Sequence, residues 1–140
     1  MPGAKQVAAV VLRRKKNSRE VLLITSRDTK RWILPKGWIE DEEHPTEAAE
    51  REAWEEAGVR GKAITTALGS YEYVKVRPQR GDLLCHVDIF QLDLKEQKRR
   101  WPEMRERNRK WVPLSAALHT IEEPALVRAL AGSALFKSET

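Results

Sequence analysis

The sequence predicts an α/β protein in which a mixed β-sheet carries helices on both faces. Two observations lead to this class. Short apolar runs of strand length lie on both sides of one well-delimited helical segment, Pro45–Ala57, and a second helical pattern closes the chain at residues 122–135. The chain has 140 residues, enough for a domain with a real hydrophobic core, and we expect residues 1–140 to form one domain.

Two apolar runs near the start of the chain are interpreted as β-strands. Residues 6–12 and 20–25 are short and rich in β-branched side chains, and a strongly charged segment separates them. This pattern indicates two strands joined by a turn. A short extended piece follows at residues 32–35, where Pro35 keeps the preceding residue out of the helical region.

The helix predicted at Pro45–Ala57 has a signal at each end. Proline suits the first turn, where its missing N–H is not needed, and Gly58 suits the residue just past the end, where a left-handed backbone is favourable. Ala49, Ala53 and Ala57 form a stripe of small side chains along the helix. We therefore expect this helix to pack closely on the sheet.

The second half of the chain alternates further strands with polar connections. The pattern predicts the following elements: one long or bent strand at 62–76, a hairpin loop at 77–82, a strand at 83–94, a long loop at 95–110, an edge strand at 111–114, an amphipathic helix at 122–135 and a frayed tail at 137–140.

Composition limits the classes of protein to which this chain can belong. Apolar residues make up 41% of the chain, which suits a globular fold, and no apolar run is long enough to cross a membrane. The first residues lack the apolar centre of a secretory signal. Cys85 is the only cysteine, so no disulfide can form within the chain. We expect a cytoplasmic protein without a membrane partner.

A basic segment at residues 95–110 accounts for the positive charge of the chain. It holds eight Lys or Arg residues against three Glu, an excess equal to the net charge of +5 of the whole protein. Such a segment suits a polyanionic partner, whether a phosphate-rich small molecule, a nucleic acid or a membrane, and the small molecule is favoured. The alternative is a solvated basic loop.

The segment from Glu43 to Glu56 is rich in glutamate. On a helix Glu52 and Glu56 lie one above the other, and Glu55 lies about 60° round from Glu52. Like charges at this spacing weaken a helix by a few tenths of a kcal/mol, whereas a divalent cation turns the repulsion into binding. Mg²⁺ suits such a site because it combines few carboxylates with water and substrate phosphate. The alternative interpretation is a solvated acidic face.

The same residues resemble the Nudix box. In order they are Gly37, five residues, Glu43, seven residues, Arg51-Glu52-Ala53, one residue, Glu55-Glu56, one residue and Gly58-Val59. The one unusual position is Ala53, where a larger aliphatic residue is more common. The resemblance implies an α/β/α sandwich around a mixed sheet over essentially the whole chain. It also implies Mg²⁺-dependent hydrolysis of a nucleoside diphosphate derivative or a related phosphoanhydride, with Mn²⁺ as a possible substitute.

A narrower resemblance lies outside the box. It is similar to the branch that hydrolyses diphosphoinositol polyphosphates and diadenosine polyphosphates, although that branch usually has Gly at the position of Lys36. The residues that carry it are Glu20-Val21-Leu22-Leu23, Ser26-Arg27, Arg31-Trp32, Pro35, Gly37 and the run Arg-Asn-Arg-Lys-Trp at 107–111.

The resemblance implies a role for each residue of the box. Glu52 and Glu56 are the expected Mg²⁺ ligands, and Glu55 is either a third ligand or the base that deprotonates water. The Gly37 carbonyl is a further expected ligand. These three glutamates, together with Arg51, are the expected catalytic set.

Arg51 has two possible positions. Helical spacing allows an ordinary surface bridge from Arg51 to Glu47 or Glu55. The resemblance instead implies that Arg51 orients Glu55 and bonds to Glu43, which holds the loop on the helix. Glu43 is then structural or a peripheral ligand.

Basic and hydroxyl side chains outside the helix are candidates for gripping substrate phosphates, a task that suits arginine forks. They are Ser26, Arg27, Lys36, Arg107 and Arg109, for each of which ordinary surface polarity is the alternative. Trp32 and Trp38 could stack on a base, but packing is the favoured interpretation. Glu103 and Glu106 are weak candidates for a catalytic glutamate outside the box.

The sequence therefore predicts a metal-dependent hydrolase of a phosphoanhydride bond in a small phosphorylated substrate. Dinucleoside polyphosphates and diphosphoinositol polyphosphates are the expected classes. Two alternatives within enzymes are action on the 5′ triphosphate end of RNA and nucleoside triphosphate pyrophosphatase activity. An alternative from another class is a non-catalytic module that binds nucleotides or nucleic acid, against which the intact glutamates count.

Overall fold

The computed structural model describes residues 3–137. Strands and helices alternate along these residues. The strands are β1 (Gly3–Lys15), β2 (Ser18–Thr25), β3 (Trp32–Ile33), β4 (Lys36–Trp38), β5 (Val59–Ala63), β6 (Gly69–Lys75), β7 (Leu83–Gln97) and β8 (Arg109–Pro113). The helices are α1 (Pro45–Ala57), α2 (Leu114–Thr120), α3 (Pro124–Ala131) and α4 (Ala134–Lys137).

The strands form one mixed sheet with the order β3-β2-β1-β7-β5, to which β4 adds on β1, β6 on β7 and β8 on β2. β1 and β7 are parallel, whereas the other pairs are antiparallel. β7 is 15 residues long, so its first part pairs with β6 and its last part with β5. β1 and β7 form the centre of the sheet.

Helices cover both faces of the sheet, which confirms the predicted α/β/α architecture. The alanine stripe of α1 is fully buried against Val7, Val11 and Leu92 on one face, as predicted. Leucines of α2, α3 and α4 pack on the other face against Val10, Leu23 and Ile89. No helix within residues 3–137 is long and apolar enough to cross a membrane.

Helix α1 has the predicted bounds, and both ends are capped. The His44 side chain accepts a hydrogen bond from the Thr46 amide, and the Glu47 carboxylate accepts one from the His44 amide. Gly58 has φ 71°, the left-handed conformation that glycine adopts most readily. These caps fix the helix that carries the carboxylates.

Several predicted elements differ from the structure. The strand expected at 62–76 is two strands, because residues 64–68 stand opposite only Phe90 and Gln91 of β7 and are pushed out of the sheet. The helix expected at 122–135 begins at Pro124 and is broken at Gly132 and Ser133, and α2 was not predicted. The expected long loop at 95–110 is partly strand at each end. Of the predicted tail, 138–140 lie outside the described residues.

Candidate active site

All the predicted site residues except Arg51 and Arg109 line an open pocket of about 440 Å³ between α1, β4 and β6. Within it are Glu52, Glu55, Glu56 and Gly37, together with Ser26, Arg27, Lys36 and Arg107. Side chains that the sequence did not single out as site residues complete the lining, among them Gln6, Asp28, Arg31, Tyr73 and Lys75. A larger groove of about 560 Å³ beside Arg13 and Arg14 holds none of the predicted residues.

Glu52 and Glu56 are buried side by side, each only 8% exposed. Burial raises the pKa of both carboxyls, and the charge of Glu52 adds to the effect on Glu56, whose pKa rises to about 8. The Lys36 amide donates to Glu56 Oε1 at 3.1 Å. Two buried carboxylates thus share one site at the edge of the pocket.

Gly37 lies directly against the Glu52 carboxylate. A Cβ atom at position 37 would overlap with all three heavy atoms of that carboxylate group. β4 pairs with β1 through Gly37 and Val7, so the backbone cannot withdraw without breaking the sheet. A side chain at position 37 would therefore displace the Glu52 carboxylate.

Arg51 connects the loop before α1 to the carboxylates. Its guanidinium makes two bonds to Glu43, at 2.8 and 3.0 Å, and contacts Glu52 Oε1 at 2.8 Å and Glu55 Oε1 at 3.1 Å. It also donates to the Trp38 carbonyl at 2.8 Å. The contacts implied by the resemblance are thus present, and these bonds lower the pKa of Glu43 and raise that of Arg51.

Arg107 is held by protein groups inside the pocket. Only 6% of its side chain is exposed. The guanidinium bonds to Glu103 Oε1 through Nε at 3.0 Å and Nη2 at 2.8 Å, and it donates to the Thr25 carbonyl at 3.1 Å. Nη2 also lies 3.4 Å from Glu56 Oε2. Arg107 therefore braces Glu56 as well as facing the pocket.

Residues 98–109, which we call the capping segment, satisfy the carbonyls at the end of α1. The Glu103 amide donates to the Glu55 carbonyl at 3.0 Å, and Trp101 Nε1 donates to the Glu56 carbonyl at 3.0 Å. Arg109 Nη1 donates to the Ala57 carbonyl at 2.8 Å. A helix leaves its last carbonyls without partners, so these bonds fix the turn that carries Glu55 and Glu56.

The structure does not bring Arg109 to the pocket. Its guanidinium lies over the Trp101 ring at 3.9 Å, and Nη2 donates to the Lys98 carbonyl at 2.6 Å. A Cβ atom on Gly58 would meet both of these side chains. The geometry therefore does not support the expected phosphate contact of Arg109, because its guanidinium packs at the end of α1 and does not line the pocket.

The other expected phosphate ligands line the pocket, and each already contacts other protein groups. Arg27 is more than half exposed and pairs with Glu106 at 3.3 Å. The Lys36 ammonium lies over the Tyr73 ring at 4.2 Å and 3.4 Å from Glu123. The Ser26 hydroxyl is bonded to Thr29 and to the Arg31 amide.

The residues at the pocket fit a hard divalent cation. Within residues 3–137 no group of three or more His, Cys, Asp or Glu side chains is already gathered around one point. Mg²⁺ does not need such a cage, since it keeps water and binds through one or two carboxylates plus phosphate. Glu52 and Glu56 supply two carboxylates whose repulsion a cation would relieve. Glu55, 37% exposed, also lines the pocket while one of its oxygens is bonded to Arg51.

The sequence pattern of the NUDIX domain matches residues 4–131. This chain belongs to the Nudix family. The match covers the sheet, the carboxylate helix and the capping segment. The residues of the Nudix box, from Gly37 to Gly58, lie within the matched range.

Individual Nudix relatives share more than a third of their aligned residues with this chain. Nudix hydrolase 16, mitochondrial, of Arabidopsis thaliana is 37% identical over 115 residues, which cover 79% of this chain and 63% of that protein. Diphosphoinositol polyphosphate phosphohydrolase 3-alpha of Mus musculus is 36% identical over 123 residues, 86% of this chain and 71% of that protein. The chain thus spans less than two thirds of the Arabidopsis relative.

A solved structure shows the same fold. The Ap4A hydrolase of C. elegans, in a binary complex, superposes with a TM-score of 0.69 over 98% of this chain and 99% of that chain, at 20% identity. At this identity the likeness establishes the Nudix fold alone.

Sequence reasoning missed two parts of the site. The capping role of residues 98–109 was not predicted, because the bonds join distant segments and the basic composition indicated a loop for ligands. Tyr73 and Lys75 reach the pocket only because β6 pairs with the first half of β7. Arg31 carried a signal, since it belongs to the narrower resemblance.

Proposed function

We propose that this protein hydrolyses a phosphoanhydride bond of a nucleoside polyphosphate-type substrate with the help of Mg²⁺ or Mn²⁺. Diadenosine polyphosphates and diphosphoinositol polyphosphates are the candidate classes. The observation that carries the proposal is the burial of Glu52 and Glu56 together beside Gly37, each 8% exposed, at a pocket that also holds cationic side chains. Glu52 contacts Arg51 and Glu56 lies near Arg107, but burial still disfavours the ionised form of both carboxyls. A divalent cation at the site would stabilise the ionised pair.

The proposed metal ligands are Glu52, Glu56, Glu55 and the Gly37 carbonyl. A divalent cation bound there neutralises phosphate oxygens and lowers the pKa of coordinated water. The family membership and the donor set both support this assignment.

Protein groups position the reacting atoms. Arg51 orients Glu52 and Glu55 through bonds of 2.8 and 3.1 Å, and Arg107 steadies Glu56. Glu55 is the most exposed of the three glutamates, with 37% of its side chain accessible, and is our candidate to accept a proton from water. Arg27, Arg31 and Lys75 line the pocket and would hold the phosphate chain.

The proposed reaction is a direct displacement at phosphorus. The water oxygen forms a bond to phosphorus, the bridging P–O bond breaks, and the leaving phosphate takes the electron pair. The water proton passes to a carboxylate. No covalent bond to the protein is required.

A substrate panel tests the proposal. The protein is incubated with Mg²⁺ and diadenosine polyphosphates, diphosphoinositol polyphosphates, nucleoside triphosphates or capped RNA, and phosphate and nucleotide release are measured. Release from at least one pyrophosphate compound is expected. Absence of release from all of them would overturn the enzyme proposal and favour a binding module.

Glu56→Gln tests the site itself. We expect kcat to fall by several orders of magnitude while the thermal unfolding transition remains cooperative. Glu47→Gln is the matched control, since Glu47 lies on the same helix and its glutamine replacement can still accept the His44 amide bond. Near-normal turnover of Glu56→Gln would remove Glu56 from the proposed ligands.

The proposed partner is a small phosphorylated molecule, and the proposed location is the cytoplasm. The buried free thiol of Cys85 is compatible with a reducing compartment.

A further inference from the structure

A side pocket of about 380 Å³ opens next to the active-site pocket on the face of the sheet that α3 covers. The two cavities share Ser26, Arg31, Lys36 and Tyr73 on their walls. A substrate whose phosphates lie in the active-site pocket can therefore extend into the side pocket without leaving the protein surface.

The side pocket differs from the active-site pocket in its chemistry. Ile33, Pro124 and Ala125 give it apolar walls. Its two acidic side chains, Glu122 and Glu123, balance its two basic ones, Arg31 and Lys36, so the lining carries no net charge. Arg31 stands on the wall shared with the active-site pocket, so a phosphate chain that binds there would use its charge and leave the two glutamates opposite Lys36 alone.

The lysine of this lining is already neutralised. Lys36 Nζ lies 3.4 Å from Glu123 Oε2, and the same oxygen accepts a bond from the Tyr71 hydroxyl at 2.8 Å. The Lys36 ammonium also covers one face of the Tyr73 ring at 4.2 Å. A phosphate that entered the side pocket would have to compete with Glu123 for this cation and would approach Glu122 as well.

We propose that the side pocket binds a neutral ring with amino and hydroxyl donors, the nucleoside at one end of a dinucleoside polyphosphate. The proposal rests on the proposed function and selects between its two substrate classes. Carboxylates accept hydrogen bonds from amino and hydroxyl groups, and the apolar walls suit the faces of a heterocycle. A diphosphoinositol polyphosphate has phosphates around its whole ring, so it would always direct one towards the two glutamates.

Filling the side pocket tests the proposal directly. In Ala125→Phe the new ring would occupy the cavity, whereas Ala131→Phe places the same ring on an exposed position of the same helix. Binding of AMP is measured by calorimetry, and hydrolysis of diadenosine tetraphosphate and of inorganic tripolyphosphate is measured with Mg²⁺. We expect Ala125→Phe to weaken AMP binding and to raise KM for diadenosine tetraphosphate at least tenfold. Tripolyphosphate hydrolysis should change less than twofold, and Ala131→Phe should resemble the wild type.

A second variant covers the case in which Ala125→Phe does not fold. Glu122→Gln removes one charge but retains an acceptor for the Trp32 amide, which now bonds to Glu122 Oε2 at 2.8 Å. We expect the wild type to prefer diadenosine tetraphosphate over a diphosphoinositol pentakisphosphate at least tenfold in kcat/KM. Glu122→Gln should reduce that preference at least threefold.

The outcomes separate the two proposals. If tripolyphosphate and diadenosine tetraphosphate are hydrolysed but the diphosphoinositol compound is preferred, the side-pocket proposal fails and the proposed function stands. It also fails if AMP binding is the same in wild type and Ala125→Phe. If no compound is hydrolysed, the proposed function fails, and the AMP measurement alone decides whether the side pocket binds a nucleoside.

Discussion

The guanidinium of Arg107 lies 3.4 Å from the carboxylate of Glu56 and at the same time 2.8 Å from that of Glu103. Arg107→Ala would leave both carboxylates without this cation. Only 6% of the arginine side chain is exposed, so water would replace the lost contacts poorly. We expect the free energy of unfolding to fall by about 3 kcal/mol, measured by denaturant titration. Arg105→Ala is the control, because Arg105 is exposed in the same segment and its loss should change stability by less than about 0.5 kcal/mol.

A role of Arg107 as a phosphate ligand would give a different result. If Arg107→Ala is as stable as the wild type and raises KM most for the longest polyphosphates, the arginine acts mainly as a phosphate ligand. The sequence alone suggested that role.

Gly37→Ala should displace the Glu52 carboxylate, since the added methyl group would overlap with it. Misplacing a catalytic group by about 1 Å can lower activity about 100-fold, and we expect a loss of this size in kcat/KM. Gly69→Ala is the control: its Cβ meets only the Ala129 carbonyl, at an ordinary 3.6 Å. Equal activities of the two variants would contradict the close contact between Gly37 and Glu52.

Arg109→Ala should weaken the end of α1, because Arg109 Nη1 donates to the Ala57 carbonyl at 2.8 Å. We expect a loss of about 1–3 kcal/mol in the free energy of unfolding and a lower kcat. KM should stay nearly unchanged, because the guanidinium lies outside the active-site pocket. A raised KM with unchanged stability, measured against Arg105→Ala, would restore Arg109 as a phosphate ligand.

The metal-free protein should become less stable as the pH rises. The pKa of Glu56 is about 8 in the folded protein and has an ordinary value of 4.5, so between these values the folded chain holds a proton that the unfolded chain has released. Stability then falls with rising pH, at a slope that approaches about 1.4 kcal/mol per pH unit for this one group. Unfolding in EDTA between pH 5.5 and 9 measures the slope.

Glu56→Gln is the matched variant for this pH experiment, because it cannot ionise at position 56. Its slope over the same range should be flatter than that of the wild type. Identical slopes would mean that Glu56 is ionised in the folded protein well below pH 8.

Some elements could be predicted because their signals are local. Pro45 and Gly58 set the bounds of α1, and the alanine stripe identified its buried side. The strand at 62–76 could not be divided from sequence, because the break depends on which residues of β7 face each part. The cap on α1 was missed for the same reason, since Trp101 and Glu56 are joined only by the fold.

The sequence by itself determined the family and the bounds of the helix that carries Glu52, Glu55 and Glu56, because the signals for that helix are local. The metal chemistry of these glutamates is a prediction from their spacing on that helix. Tertiary structure decided which charges are available to a ligand. Arg107 and Arg109 look alike in sequence, yet Arg107 faces the pocket while paired with Glu103 and Glu56, and Arg109 caps a helix. The physical reason is that a guanidinium already bonded to protein acceptors has few donors left for phosphate, and only the fold determines where those acceptors lie.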